Sequence, residues 1–201
     1  MIRSMLALIG LIIPWYYLSP YLSAPVIYLA GHAMDWTFPW VSGFERHETV
    51  GTLITSLNIW GTQGNRLVLA YLTPEVDYRT FGYGLVLFWA LMIASHPTGL
   101  WKKMALGTLI IVPSQVFSMC FHWLRKSVLI RGTETHIQAD ISRWMLEVIA
   151  YFDQLGVLVL TPLVPALIWL LLDRDFVNKL WIEMVTVGKG SRTRTTEPDG
   201  Q

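Results

Sequence analysis

Cys120, His122 and Arg125 lie within six residues of one another. A thiol, an imidazole and a guanidinium are what a cysteine peptidase or transpeptidase uses as nucleophile, base and anion-stabilising group. Spacing argues against these three acting together. Two residues apart on one helix, the side chains of Cys120 and His122 diverge by about 200°. A base for the thiol would have to be His136, His47 or His32, brought in from another segment. A lone cysteine in an apolar run more often serves as a small filler. With a single cysteine the chain forms no internal disulfide and no multi-cysteine metal site. No glycine-rich run follows a strand and opens a helix with a basic residue, so no phosphate loop is expected, and no cofactor is implied.

Other polar groups stand inside apolar runs, where they are costly and therefore informative. Gln115 falls near the middle of its run, flanked by Ser114 and Ser118. Pro162 and Pro165 each remove a helix donor, which frees the carbonyls four residues earlier, at Leu158 and Thr161. At about 1.5 Å per residue, Thr161 and Gln115 reach similar depths. The Gln115 amide is therefore expected to donate to a freed carbonyl of the proline-kinked helix, as structural glue and not as a transport site. Asp153 is expected near the opposite end of the same helix, level with His122 and Arg125. Pairing with either would neutralise charge where the dielectric falls.

Four apolar stretches have to position these groups: residues 5–22, 81–95, 104–124 and 148–172. Each is about the length that a hydrocarbon core requires. Hydrophobic residues make up 53% of the chain and charged ones only 14%, which places it in the membrane class. A formal net charge of +1 offers no footprint for nucleic acid. Many of the ten tryptophans (Trp15, Trp36, Trp40, Trp101, Trp123, Trp144 and Trp169 among them) fall at segment ends, as an interfacial aromatic belt would. Arg3 ahead of the first apolar run resembles a signal peptide, but Pro25 after the small pair Ser23-Ala24, and the apolar run resuming at 26–30, favour an uncleaved first span.

Four spans put both termini on one side, and Arg3, Lys102, Lys103 and the basic tail favour the cytoplasm, against Arg125 and Lys126. The loop 35–80 then lies outside. Alternation over 53–59 and 66–73, with Gly61-Thr62-Gln63-Gly64-Asn65 between, predicts a hairpin, with 44–47 as a third strand. Its edge would be a natural place for a guest strand to add, or it simply caps the bundle. Segment 133–151 is amphipathic, with Ile137, Ile141, Met145 and Val148 on one face, and is expected to lie in the interface. Tyr78, Phe81 and Tyr83 fit an interfacial belt, and Gly82 with Gly84 would let helices approach closely. The expected fold is mainly α: a four-helix transmembrane bundle with a small extracytoplasmic β-hairpin and an interfacial amphipathic helix. Residues 1–186 form one membrane domain, and 187–201 form a disordered cytoplasmic tail.

Three short motifs carry a resemblance. They are Tyr83-Gly84-Leu85-Val86-Leu87-Phe88-Trp89-Ala90-Leu91 entering the second span, Pro113-Ser114-Gln115 in the third, and Gln154-Leu155-Gly156 followed by Pro162-Leu163-Val164-Pro165 and Trp169 in the fourth. In these and in its hydropathy the chain resembles the exosortase H-associated membrane proteins, departing at Val86, where the family has proline. The resemblance implies a multi-pass inner-membrane protein of a Gram-negative bacterium, accessory to an exosortase-type protein-sorting system. The lipid bilayer, an exosortase and its substrate proteins are the implied partners. It carries over no catalytic residues. Exosortases look like membrane cysteine peptidases with Cys, Arg and His on separate segments, a pattern absent around Cys120. The expected function is thus a non-catalytic accessory protein that contacts the sorting enzyme or its substrates through the outer hairpin. An intramembrane thiol peptidase or transpeptidase centred on Cys120 is the alternative. A channel or transporter subunit would need a polar pathway that these spans do not supply.

Overall fold

The computed structural model describes residues 2–63, 66–95, 97–129 and 133–173. The first helix, α1, runs Ile2–Thr37, about 54 Å at ideal rise, and continues well past the expected end of the first span at 22. Pro14, Pro20 and Pro25 lie inside it. The helix survives Pro20 because Ser19 Oγ donates to the Tyr16 carbonyl, at 2.8 Å, in place of the missing N–H.

Five strands follow: β1 (Val41–His47), β2 (Val50–Thr55), β3 (Asn58–Gln63), β4 (Arg66–Tyr71) and β5 (Glu75–Asp77). They form two antiparallel sheets, ordered β1-β2-β5 and β3-β4, where the sequence predicted one hairpin. The stretch read as one strand, 53–59, divides at Ser56-Leu57. There the Ser56 N–H donates to the Trp40 carbonyl and the Leu72 N–H to the Leu57 carbonyl. Thr55 Oγ1 bonds the Leu72 carbonyl at 2.6 Å, so the chain leaves one ladder with its polar groups satisfied. Alternation persists across the switch, which is why the pattern read as continuous.

Helix α2 is Arg79–Ser95 and α3 is Leu100–Val128. The amphipathic segment is two helices, α4 (Thr133–Gln138) and α5 (Arg143–Gln154), and not one. Asp140, with φ 53°, breaks it, since a left-handed residue cannot continue a right-handed helix. From Arg143 the chain is helical to Leu172, through one π-helical stretch (Leu155–Leu160) and α6 (Thr161–Leu172). The amphipathic turns of α5 therefore run on into the last apolar helix. The tail, 187–201, lies outside the described residues.

Among the described residues two helices could cross a membrane by length and apolar composition, Leu100–Val128 and Arg143–Leu172. At 17 residues α2 is shorter, about 26 Å. Many large apolar side chains face outward, including Ile13 and Tyr17 on α1, Leu109 on α3, and Leu158 and Leu171 on the last helix. Polar groups such as Ser19, Ser118, Asp153 and Thr161 are buried instead. The core has two parts. The larger joins α1, the three-stranded sheet, the start of α2, α3 and α5 around Ile27, Met34, Leu53, Phe81, Met119 and Trp123. The smaller joins α2, α3 and α6 around Leu85, Phe88, Met92, Ile111 and Ile168. Three expected belt tryptophans, Trp15, Trp40 and Trp123, are buried, whereas Trp36, Trp101 and Trp144 are exposed. Trp123 is drawn in by a bond from its Nε1 to the Gly51 carbonyl, 3.2 Å away.

Candidate functional site

Residues from α2, α3 and the last helix converge where that helix adopts π geometry. In π geometry the donor to a carbonyl lies five residues on. Gly156 O accordingly receives the Thr161 N–H, and Thr161 Oγ1 donates to it as well, at 2.8 Å. The same register assigns Val157 O to residue 162, a proline with no N–H. The orphan created by Pro162 is therefore at Val157 and not at Leu158, as helical counting had it. Tyr83 of α2 supplies the missing donor, its hydroxyl lying 3.2 Å from Val157 O. Pro165 frees the Thr161 carbonyl, and Gly84 packs against it so closely that a Cβ there would collide with that oxygen. Gly156 in turn packs on Ser118 of α3. The Tyr83-Gly84 pair is thus fitted to the break in the last helix by one hydroxyl and one absent side chain.

Gln115 is buried nearby but does not make the bond expected of it. Its Nε2 has no hydrogen-bond acceptor, and the freed carbonyls are occupied by Tyr83 and Gly84. The amide lies instead toward Tyr78, the residue before α2. Burial pushes the Tyr78 phenol up to about 12, and the Gln115 side chain opposes that rise without bringing Nε2 into bonding geometry with an acceptor. Ser118, one turn from Gln115, donates back to the Ser114 carbonyl.

One turn toward the sheet, Asp153 of α5 is 2% exposed and receives two partners from α3. His122 Nδ1 stands 2.6 Å from Oδ1, and Arg125 Nη1 stands 2.9 Å from Oδ2. Spaced three apart, His122 and Arg125 share a helix face. The sequence offered these two as alternative partners, and the geometry brings both to the one carboxylate. An ionised carboxylate only accepts, so the His122 proton belongs on Nδ1. Phe81 of α2 closes the group, edge to face on the imidazole at 5.5 Å.

Cys120 faces away from this cluster. Its Sγ lies 3.7 Å from the Ala30 carbonyl of α1, half-buried among apolar neighbours. His122 is committed to Asp153, and His32 stacks edge to face on Phe44. His47 is an exposed partner of Glu45, while the side chain of His136 lies outside the described residues. Among the described residues no three of His, Cys, Asp and Glu gather as metal ligands. The groups that converge thus hold helices together, and among the described residues the thiol has no base beside it.

The sheet is mounted on these helices by directional bonds. Lys126 Nζ reaches the Glu75 carbonyl of β5 at 2.6 Å, and Arg46 of β1 reaches the Pro20 carbonyl of α1 at 2.7 Å. Gln138 of α4 pairs with both backbone groups of Asn58, at 2.8 and 3.1 Å, as a neighbouring strand would. A model of the exosortase H-associated membrane proteins matches residues 1–176, which takes in every element from α1 to α6. The chain belongs to the exosortase H-associated membrane protein family. Neither curated proteins nor solved structures yield a match. Two of the three segments that carry the resemblance meet in space: Tyr83-Gly84 touches Val157 and Thr161, between Gln154-Leu155-Gly156 and Pro165. Sequence reasoning valued Gly84 for close approach and Tyr83 for the interface. It missed the hydroxyl's role because a π register is not visible in residue periodicity.

Proposed function

We propose that this family member is a non-catalytic accessory protein of the bacterial inner membrane, crossing it four times with both termini cytoplasmic. It would act beside an exosortase-type sorting enzyme. Family membership carries this reading, and the outer sheets supply the surface for it. The three-stranded sheet is bonded to α1 and α3, so it is a rigid mount. The β3-β4 hairpin has no third strand among the described residues and projects Leu69 and Tyr71 from one face, both largely exposed. Two strands alone are marginal in water. A hairpin held at one corner by Gln138 and offering two large apolar side chains is suited to contact with a partner. That partner is the sorting enzyme or the anchor region of the protein it sorts.

A photo-reactive residue at Leu69 or Tyr71, in cells expressing an exosortase-type enzyme, tests this directly. Cross-links to the enzyme or its substrate are expected, and a matched probe at the outward-facing Leu109 should give none. Recovery as a lone monomer in mild detergent, with no cross-links from either hairpin position, would refute it. Topology is tested separately: cysteines at the exposed Ser42 of β1 and at Lys102, in a Cys120→Ala background, should label from opposite faces of the membrane.

A further inference from the structure

The N-terminal halves of α1 and α2 leave a lateral groove of about 350 Å³ between them, walled by Leu8, Ile12, Trp15, Tyr83, Val86 and Leu87. On α1 these positions recur every three to four residues and continue to Ser19; on α2 they continue back to Arg79. The two stripes meet at the groove's outer end, where Arg79 Nε donates to Ser19 Oγ at 3.3 Å and the guanidinium lies 4.2 Å over the Tyr16 ring. Among the described residues no carboxylate pairs with Arg79, and no hydrogen bond engages its Nη atoms. Inside, the Tyr83 hydroxyl is turned away to Val157 O, which leaves the ring's apolar body in the wall. The wall is therefore almost wholly apolar.

We propose that this groove is a binding site for one anionic phospholipid, with an acyl chain lying between α1 and α2 and the phosphate on Arg79. The inference rests on the reading that both helices cross the bilayer. Three observations select this occupant. The groove is small, at the lower end of ligand-site volumes of roughly 300–1,000 Å³. A helix about 10 Å across could insert only a side chain or two, whereas an extended alkyl chain fits lengthwise. The unpaired cation sits at one end only, one helical turn beyond the apolar wall, which matches a headgroup followed by a tail.

The test uses the full chain reconstituted in vesicles of phosphatidylethanolamine with one-fifth phosphatidylglycerol, the latter carrying a diazirine on its acyl chain. Cross-links are mapped by peptide mass. They are expected to concentrate on residues 8–15 and 83–87 over the outward face around Leu109 and Leu171. Filling the groove by Ile12→Trp, or independently by Leu87→Trp, should abolish that enrichment while cross-linking elsewhere persists. Arg79→Gln should lower it roughly five-fold, with Arg79→Lys restoring most of it. Two substitutions at different walls guard against one merely misfolding, and thermal unfolding checks each. An even distribution of cross-links over all outward faces would overturn the site. So would enrichment that persists in both tryptophan variants, equal labelling by a phosphatidylethanolamine probe, or protection of the groove by a co-purified protein helix. Failure of the membrane reading looks different, since then no face of the chain would be labelled.

Discussion

Substituting Gly84 by alanine should destabilise the protein, although the same change in an open stretch of helix stabilises. Two effects of opposite sign compete. Glycine inside a helix is worse than alanine by about 1 kcal/mol, because it surrenders more backbone freedom. Against that gain, a Cβ at Gly84 meets the Thr161 carbonyl oxygen, the Thr161 carbonyl carbon at 3.2 Å and the Pro165 ring at 3.1 Å. Two of these three are backbone, and the backbone is held by the Thr161 hydroxyl and N–H on Gly156 O, so the collision is relieved only by moving α2 away from α6. Overpacking of this kind costs roughly 1–3 kcal/mol, and separating the helices also weakens the Tyr83–Val157 bond, worth about another 1 kcal/mol. The sum, after the propensity gain, is a net loss of roughly 1–3 kcal/mol. At about 2–4 °C per kcal/mol for a chain of this size, the midpoint in mild detergent should fall by roughly 2–12 °C. Gly10→Ala is the control, since nothing lies within 4 Å of a Cβ there, and it should be neutral or slightly stabilising. If Gly84→Ala unfolds at or above the wild-type temperature while Gly10→Ala behaves as stated, the close approach of α2 to the helix break is wrong.

Three further outcomes follow from the same geometry. Tyr83→Phe should cost about 1 kcal/mol by leaving Val157 O unpaired. Pro162→Ala restores an N–H to that carbonyl in π register, so the loss should shrink in the double variant, read as a coupling energy in a double-mutant cycle of unfolding midpoints. Asp153→Ala should cost roughly 2–3 kcal/mol, because it strands His122 and removes the partner of Arg125. Arg125→Gln should cost under about 1 kcal/mol, since the Arg125 side chain is 41% exposed and water replaces much of the pairing; equal costs would refute a buried carboxylate at the centre. Cys120→Ala should retain the sorting phenotype in full, and the native thiol should react slowly with maleimide. Loss of the phenotype in a stable Cys120→Ala protein would restore the thiol-enzyme reading.

The sequence made the helices legible because apolar length is a one-dimensional property, and it made the Asp153 cluster legible because depth along a helix can be counted. Both fail at the same kind of place. The Gln115 bond was assigned by counting α-helical residues, and one extra residue in the π turn moved the orphan carbonyl from Leu158 to Val157, where a tyrosine on another helix already waits. The division of 53–59 into two strands was hidden because alternation survives a change of sheet when Ser56 and Leu57 find backbone partners in Trp40 and Leu72. The break at Asp140 was hidden because apolar spacing continues across it through Ile137 and Ile141. In each case periodicity reports which face a residue belongs to. It does not report which hydrogen-bond register holds it there.

That distinction explains why the Tyr83-Gly84 pair of α2 meets the last helix at its π-helical stretch. Gly84, Tyr83, Gly156, Thr161 and Pro162 form no chemical constellation, and each would be unremarkable alone. Together they solve one problem, which is how to keep every backbone carbonyl paired where a helix in an apolar setting carries two prolines three residues apart. Thr161 covers Gly156 O twice, Tyr83 covers Val157 O, and the bare α-carbon of Gly84 lets the Thr161 carbonyl rest against α2. A break stabilised this way is fixed to a neighbouring helix and is not a free hinge. The last helix therefore presents α5 and its Asp153 at a set height against α3, and α3 in turn carries Trp123 and Lys126 into the sheet. Loosening the break by Gly84→Ala should therefore reach the sheet. The predicted consequence is faster amide exchange in β2 and β5 before global unfolding, and unchanged exchange there would show that the two layers are mechanically independent.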